Sequence, residues 1–505
     1  MSNIFLEGMK SASNYTRTEN GALTHKSTMD GLMDLFAMGA AYRTRTDEDV
    51  IFLFKKAFDE NPSYALKCLF YIRDVRGGQG ERRFFRVATK WLASYDTDAM
   101  RRNLTHVPEF GRWDDLFVFI GTPLETDALN IIKHQLALDV HCKTPSLLGK
   151  WMPSENTSSV KTKKTAAKVR KFIGMTPKQY RKTLSILRAR INVLERLMSE
   201  GRWDEIEFDK IPSKAGIKYK NAFARHDIER MKRNPEVKTY EAFAKDTTTK
   251  VNAKALYPYE VVSKALHACH KPIDDTDRLM VNKYWENLQD YFNGKSFNGL
   301  AVVDTSASMT WYGGDATPLN VAISLGLYCA ERANGPFANH YVSFSTRPQL
   351  IETSGVDFCD KVYRIYRTNL CDSTNIEATF DMLLQTALNN GCGQDELPQN
   401  ILILSDMEFD AGTGHGYGYG RQSWDPQTLM ESIRDKWARH GYRMPKLIYW
   451  NVQARQNNIP EDIGVGDISY VSGMSPSIFD TILFGKSGYE LMMDKLNSPR
   501  YEVIG

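Results

Sequence analysis

The sequence predicts a multidomain chain: an all-α half of packed amphipathic helices, followed by an α/β half with a mostly parallel, doubly wound sheet. Three observations predict it. From about Asp49 to Phe292 apolar residues recur at helical spacing with little strand-like alternation. After Asn293-Gly294-Lys295, apolar runs of strand length alternate with helical segments, the rhythm of β-α-β units. The charge changes sign at the same place: residues 1–298 carry 50 Lys and Arg against 37 Asp and Glu, a net of +13, and residues 299–505 carry 15 against 24, a net of −9. The pattern divides the chain into an N-terminal extension (1–48), a helical domain (49–297), an α/β domain (298–496) and a tail (497–505).

At 505 residues the chain exceeds what one hydrophobic core normally supports. Its 42% hydrophobic and 25% charged residues are ordinary for a globular protein. No apolar stretch approaches the roughly 20 residues of a membrane span. Met1 to Lys10 is too short and polar for a secretory signal, so a soluble cytoplasmic protein is expected. The seven cysteines (Cys68, Cys142, Cys269, Cys329, Cys359, Cys371, Cys392) are scattered and include no C-x-x-C pair, which argues against a disulfide framework and a thiolate zinc site. Cys269-His270 joins two soft ligands but has no second pair nearby.

In the helical half, Ile51, Phe54 and Phe58 share one helix face. Tyr180, Leu184, Leu187, Ile191, Leu194 and Met198 alternate steps of four and three, which predicts one continuous helix. Pro62, Pro123 and Pro177 stand near helix starts, where a missing N–H costs nothing. Gly111-Arg112-Trp113-Asp114-Asp115 recurs as Gly201-Arg202-Trp203-Asp204-Glu205; each copy reads as a helix-linking turn with a buried Trp and an Arg–Asp pair, or as a ligand contact.

Two cationic clusters are candidate polyanion contacts. Lys161, Lys163, Lys164, Lys168, Arg170 and Lys171 crowd eleven positions, and Lys178, Arg181, Lys182, Arg188 and Arg190 follow on the next helical segment. Such density suits a phosphate backbone, or simply a solvated helix face. Arg73, Arg76, Arg82 and Arg83 surround Gly77-Gly78-Gln79-Gly80, a loop able to bring backbone N–H groups to an anion. It lacks the order of a nucleotide P-loop, and salt bridges between neighbouring repeats are the equal alternative.

In the α/β half, strands are predicted at 299–303, 341–344, 401–404, 447–450 and 468–471, with helices at 319–332, 376–388 and 426–440. Ligands of such sheets bind at the carboxyl ends of strands. Asp304-Thr305-Ser306-Ala307-Ser308 stands at one such end, its carboxylate and two hydroxyls spaced to gather around a hard cation such as Mg²⁺. Asp406, after the buried run 401–405, and Thr374, after a polar loop, are placed to add oxygens. A plain N-cap and turn is the other reading of the Asp-x-Ser-x-Ser segment. Residues 412–421 alternate Gly with aromatics and are expected to form a mobile loop at the rim, either a plain flexible surface loop or one in which Tyr417 and Tyr419 stack on bases or a protein partner and His415 reaches the cation.

The motif Asp304-x-Ser306-x-Ser308, with Thr374 downstream and a strand-terminal Asp406, resembles the metal-ion-dependent adhesion site of von Willebrand factor type A domains, over about 200 residues. The resemblance implies that Asp304, Ser306, Ser308, Thr374 and Asp406 hold Mg²⁺ (or Mn²⁺) directly or one layer out, with an acidic group of a partner completing the octahedron. Cys371-Asp372-Ser373 departs from the small residues usual before the Thr, leaving Asp372 either near the cation or in solvent. In the basic half, the segments 70–83 and 110–116, Ile211-Pro212-Ser213-Lys214 and Leu256-Tyr257-Pro258-Tyr259-Glu260 resemble an uncharacterised family related to the TROVE proteins, the Ro autoantigen group. That resemblance implies a ring of HEAT-like helical repeats closed by a type A domain, and RNA as the partner.

The expected function is therefore Ro-like RNA binding. A metal-dependent protein-interaction scaffold without RNA is the alternative. No Ser-His-Asp or Cys-His arrangement can be assigned, and no general base is marked beside the metal, so the protein is not expected to be an enzyme.

Overall fold

Capping residues write the helix starts of the first half. Asp30 accepts from the Met33 N–H at 2.8 Å to open α1 (Gly31–Met38), Thr46 and Asp49 form a reciprocal box at α2 (Asp47–Glu60), and Asn61 with Pro62 opens α3 (Pro62–Arg73). Next come α4 (Arg83–Tyr95), α5 (Thr97–Asn103), α6 (Val107–Phe110), α7 (Glu125–His141) and α8 (Leu148–Trp151). Ser159 caps α9 (Val160–Ile173), which ends at left-handed Gly174, and Thr176 with Gln179 opens α10 (Pro177–Arg190). The half continues through α11 (Leu194–Ser199), α12 (Ser213–Arg233), α13 (Tyr240–Lys245), α14 (Pro258–Cys269) and α15 (Asp275–Glu286). This computed structural model describes residues 13–191, 193–269, 275–292, 294–295, 297–310, 314–344, 347–368, 373–412, 427–464, 467–483 and 486–505. None of the described helices is long and apolar enough to cross a membrane.

Two details of the helical half differ from expectation. The predicted continuous helix from Tyr180 to Met198 breaks after Arg190. The Val193 N–H closes on the Arg188 carbonyl at 3.1 Å, and the Arg190 guanidinium turns back to the Val140 carbonyl at 2.7 Å. β-branched Ile191 and Val193 lend the helix little support against these bonds. The two Gly-Arg-Trp copies both form 3₁₀ turns between helices. In the first, Asp115 is fully buried and pairs with arginines from outside the motif; in the second, Arg202 pairs with Glu205 at the surface and the buried Trp203 stacks on His226.

Residues of the N-terminal extension form a hairpin, β1 (Tyr15–Arg17) and β2 (Leu23–His25), that bonds to the distant α/β half: His25 and Ile459 exchange backbone hydrogen bonds of 3.0 Å each. The main sheet follows with β3 (Gly299–Asp304), β4 (His340–Phe344), β5 (Gln349–Glu352), β6 (Asn400–Ser405), β7 (Lys446–Asn451) and β8 (Ile468–Ser472), in spatial order β5-β4-β3-β6-β7-β8. All neighbours run parallel except the edge strand β5, which the sequence reading missed. β3, β6 and β7 are buried almost throughout, as expected of a sheet covered on both faces. Its helices are α16 (Pro318–Arg332), α17 (Phe358–Thr368), α18 (Ile376–Asn390), α19 (Leu429–Arg439), α20 (Ile478–Ile482) and α21 (Gly488–Leu496). Gly326 lets α16 approach the sheet closely: a Cβ there would meet Val303 at 2.4 Å.

The helical half touches the α/β half at both of its ends. α1 packs on β8, and α21 lies between β8 and α3. At the far end α14 packs on α16 and α17, and Arg278 of α15 grips Asp357 with two bonds of 2.6 and 2.7 Å. The loop Gly77-Gly78-Gln79-Gly80 lies in the first of these seams. Ser477 donates to the Gly78 carbonyl at 2.6 Å, fully buried Gln79 reaches Ser472, and Asp74 receives Arg500 and Tyr501 from the tail. A Cβ on Gly78 would stand 2.1 Å from the Tyr71 carbonyl oxygen. Gly78→Ala is expected to cost about 3 kcal/mol of stability in urea unfolding, since backbone must move to admit the methyl. An unchanged midpoint would show that the loop is not pressed into the seam.

Candidate functional site

β3 and β6 are neighbours at the centre of the sheet, so their carboxyl ends bring Asp304, Ser405 and Asp406 together. Asp304 is fully buried; its Oδ2 accepts from Ser405 Oγ at 2.5 Å and its Oδ1 from the Ser306 N–H at 2.9 Å. The second bond rolls the chain into the 3₁₀ turn Ala307–Thr310 and leaves Ser306 Oγ and Ser308 Oγ 3.0 Å apart. Met407 then takes a left-handed φ of 64°, rare without glycine, while its N–H is held by Ser405 Oγ at 2.9 Å. This turn lets the Glu408 N–H reach Asp406 Oδ1 at 3.2 Å.

Thr374 lies just ahead of Asn375, the cap of α18, and its carbonyl accepts from the Asp410 N–H at 3.0 Å. It is thereby tied to the same loop as Asp406. The structure thus gathers the loops carrying Asp304, Ser306, Ser308, Thr374 and Asp406 at the carboxyl edge of the sheet. Burial, then the charge of Asp406, pushes the Asp304 carboxyl above its usual range. Burial also raises Asp406, against the pull of Arg455, and lifts Glu408 to about 7.

Four residues at this edge escaped the sequence reading. Arg455, from the loop after β7, places Nη2 3.1 Å from Asp406 Oδ2 and Nη1 2.5 Å from Glu19 Oε2. The Glu19 N–H donates to Glu408 Oε2 at 2.7 Å. Asn20 Nδ2 donates to Thr374 Oγ1 at 3.2 Å and to the Glu408 carbonyl at 2.6 Å. Only Glu408, two residues beyond a strand-terminal Asp, carried any local signal. Among the described residues, no group of three or more His, Cys, Asp or Glu side chains is arranged to hold a metal. The oxygens here are two carboxylates with three hydroxyls; Asp406 Oδ2 meets the Arg455 guanidinium, while Glu408 Oε1 is buried with no hydrogen-bond partner among the described residues. His415, Tyr417 and Tyr419 lie outside the described residues, as does Asp372.

The candidate RNA contacts separate into two groups. Arg73 is a correction: it is buried, and its guanidinium makes bonds of 2.9 and 2.7 Å to Asp115, so no phosphate reaches it. Arg83 pairs with Asp47, Arg76 bonds the Glu109 carbonyl and Arg82 lies 3.7 Å from Asp114, while the glycine loop they flank is packed into the seam rather than open to an anion. On α9 and α10, Lys168 pairs with Glu125 and Arg170 with Glu155, with Arg181 at 3.9 Å from Glu155. Arg188 and Arg190 bond to carbonyls of the preceding segment. Lys161, Lys163, Lys164, Lys171, Lys178 and Lys182 are exposed and have no side-chain partner among the described residues.

Residues 18–135 and 146–295, more than half of the chain, match the family model described as Domain of unknown function (DUF2828). The chain belongs to the DUF2828 family. Its DUF2828 portion begins at Thr18 and so takes in the part of the hairpin that carries Glu19 and Asn20. Residues 298–498 match a second model, Domain of unknown function (DUF7788). The chain is similar to Uncharacterized protein L728 of Acanthamoeba polyphaga mimivirus, with 29% identity over 506 positions that cover 93% of this chain and 85% of the relative. Its fold is similar to the crystal structure of the Deinococcus radiodurans RO (RSR) protein, with a TM-score of 0.50, 16% identity and coverage of 91% of this chain and 100% of that one. This DUF2828 protein therefore has a Ro-like fold.

Arg455→Met, which keeps the bulk but removes the charge beside buried Asp406, should cost about 3 kcal/mol in denaturant unfolding. Adding Asp406→Asn should recover part of that loss. Strict additivity of the two would show that the pair is not coupled.

Proposed function

We propose that this protein binds RNA with a Ro-like architecture, its helical half holding the phosphates and its α/β half acting as a von Willebrand type A domain. The observation that carries the first part is electrostatic. Residues 160–190 contain eleven Lys and Arg and no Asp or Glu, and six of those lysines stand exposed without a partner among the described residues. Lysines paired at a surface contribute little to binding, whereas unpaired ones release counterions when a polyanion arrives. The Ro-like fold and the TROVE-like sequence blocks support RNA as that polyanion and support a helical half built from HEAT-like repeats.

The second part rests on the buried carboxylates of Asp304 and Asp406 beside the Ser306 and Ser308 hydroxyls, and on Glu408 Oε1, which is buried with no hydrogen-bond partner among the described residues; such oxygens suit a hard cation better than they suit solvent. Asp304, Ser306, Ser308, Thr374 and Asp406 would hold Mg²⁺ or Mn²⁺, and the ion would supply a position for a phosphate or carboxylate oxygen. Arg455 supplies the positive charge beside Asp406, and Asn20 holds the Thr374 hydroxyl in place. The role is binding rather than catalysis.

Fluorescence anisotropy with a single-stranded RNA across a salt series tests the first part. The triple change Lys161→Glu, Lys163→Glu, Lys164→Glu should weaken binding at least tenfold and flatten the salt slope by about 2, because each phosphate left without its lysine removes roughly 0.7 from that slope. No RNA retention by the unaltered protein at low salt would overturn the reading and favour a metal-dependent protein scaffold. For the second part, Mn²⁺ at a hundredfold excess over its Kd should stabilise the protein by about 2.7 kcal/mol. Asp406→Asn should abolish that gain, and an equal gain in both proteins would remove the site.

A further inference from the structure

Beside the free lysines a cavity of 590 Å³ opens between α8, α10 and α11, within the roughly 300–1,000 Å³ range of small-molecule sites. Side-chain hydrogen bonds tie its walls together. Arg188 donates to the Gly149 and Met152 carbonyls at 3.0 and 2.9 Å and to Ser154 Oγ at 3.1 Å, which fixes the loop that carries Trp151. Half-buried Trp151 lines the cavity, with the Arg112 guanidinium 4.6 Å from its ring centroid. Tyr180, fully buried, donates to the Pro153 carbonyl at 2.8 Å and closes the floor.

The mouth is cationic, and two carboxylates line the cavity, exposed Glu195 and the more buried Glu155. Lys178 and Lys182 lie one helical turn from Arg181 and Ser185, which line the opening. Inside, Glu155 accepts from Arg170 Nε at 2.7 Å through Oε1. Its other oxygen is buried with no hydrogen-bond partner among the described residues, and Arg181 Nη1 at 3.9 Å is too far to serve as one. A buried carboxylate oxygen without a donor is costly. Glu155 lines the cavity, so a ligand seated there with N–H donors would supply one.

We propose that this cavity takes one unpaired base of the bound RNA, guanine in preference to uracil, with its ring against Trp151 and its donor edge on Glu155. The inference rests on the RNA-binding reading. Guanine offers two adjacent donors, N1–H and the amino group, to one carboxylate, whereas the N3–H of uracil is flanked by carbonyl oxygens that a carboxylate repels. Splayed bases stacked on aromatic rings are the usual sequence-selective element in single-stranded RNA recognition. The phosphates on either side of the base would meet Lys178, Arg181 and Lys182.

The test uses the full chain with four probes: GMP, UMP, a single-stranded U9 RNA and the same nonamer with one central G. GMP and the G-containing nonamer should each bind about tenfold tighter than their uracil counterparts, about the size of one specific base contact. Glu155→Gln, which keeps an acceptor for Arg170, should bring each pair within about twofold while preserving uracil affinity, and Trp151→Leu should weaken all four probes about tenfold. Lys161→Glu with Lys163→Glu and Lys164→Glu should weaken both nonamers without changing their ratio. Equal binding of GMP and UMP, or a preference that survives Glu155→Gln, overturns the proposal. GMP uptake with retention of neither nonamer keeps the cavity as a guanine site and overturns the RNA reading instead.

Discussion

The carboxylate of Asp74 fixes how the two halves of this chain meet. It is fully buried and accepts from Arg500 Nη2 at 2.7 Å and Tyr501 Oη at 3.0 Å, residues more than 420 positions away. A carboxylate in that position is tolerable only while those donors stay. They in turn set α21, which lies against β8, and so the outer edge of the parallel sheet takes its position from the helical half. Because α14 and α15 dock on α16 and α17 at the far end, the helical half leaves the sheet domain at one place and returns at another.

The same logic operates at the carboxyl edge of the sheet. Asp304 and Asp406 end up side by side because adjacent parallel strands end there, and neither is solvated. Ser405, Ser306 and the guanidinium of Arg455 offset their charge, and the hairpin adds Glu19 and Asn20 to the network. Opposite charges are thus interleaved across four chain segments. Loss of any one of them leaves a buried charge or a buried acceptor behind.

Much of this was legible in the sequence wherever the signal was local. The five predicted strands lie within the observed β3, β4, β6, β7 and β8, because continuous apolar runs flanked by helices read clearly. β5 was missed because it is a mostly exposed edge strand with only Ile351 buried, and the hairpin because each of its strands is three residues long. The Asp-x-Ser-x-Ser turn and Asp406 were readable from their place after strands. Arg455 and Glu19 were not, since 436 positions separate them and nothing in either neighbourhood marks the pairing. Gly77-Gly78-Gln79-Gly80 was misleading for a related reason. Glycines permit close approach of any neighbour, and here the neighbour is the protein's own backbone.

The seam at Asp74 also bears on how the chain acquires its structure during synthesis. At about 5–20 residues per second, roughly 20–90 s pass between the appearance of Asp74 and that of Arg500. Throughout that interval α3 lacks its covering segment, and the face destined for β8 and α21 stays open to water and to other nascent chains. Contacts between segments more than 420 positions apart raise the contact order of the fold. Its early half is a natural client for whatever shields apolar surface at the ribosome.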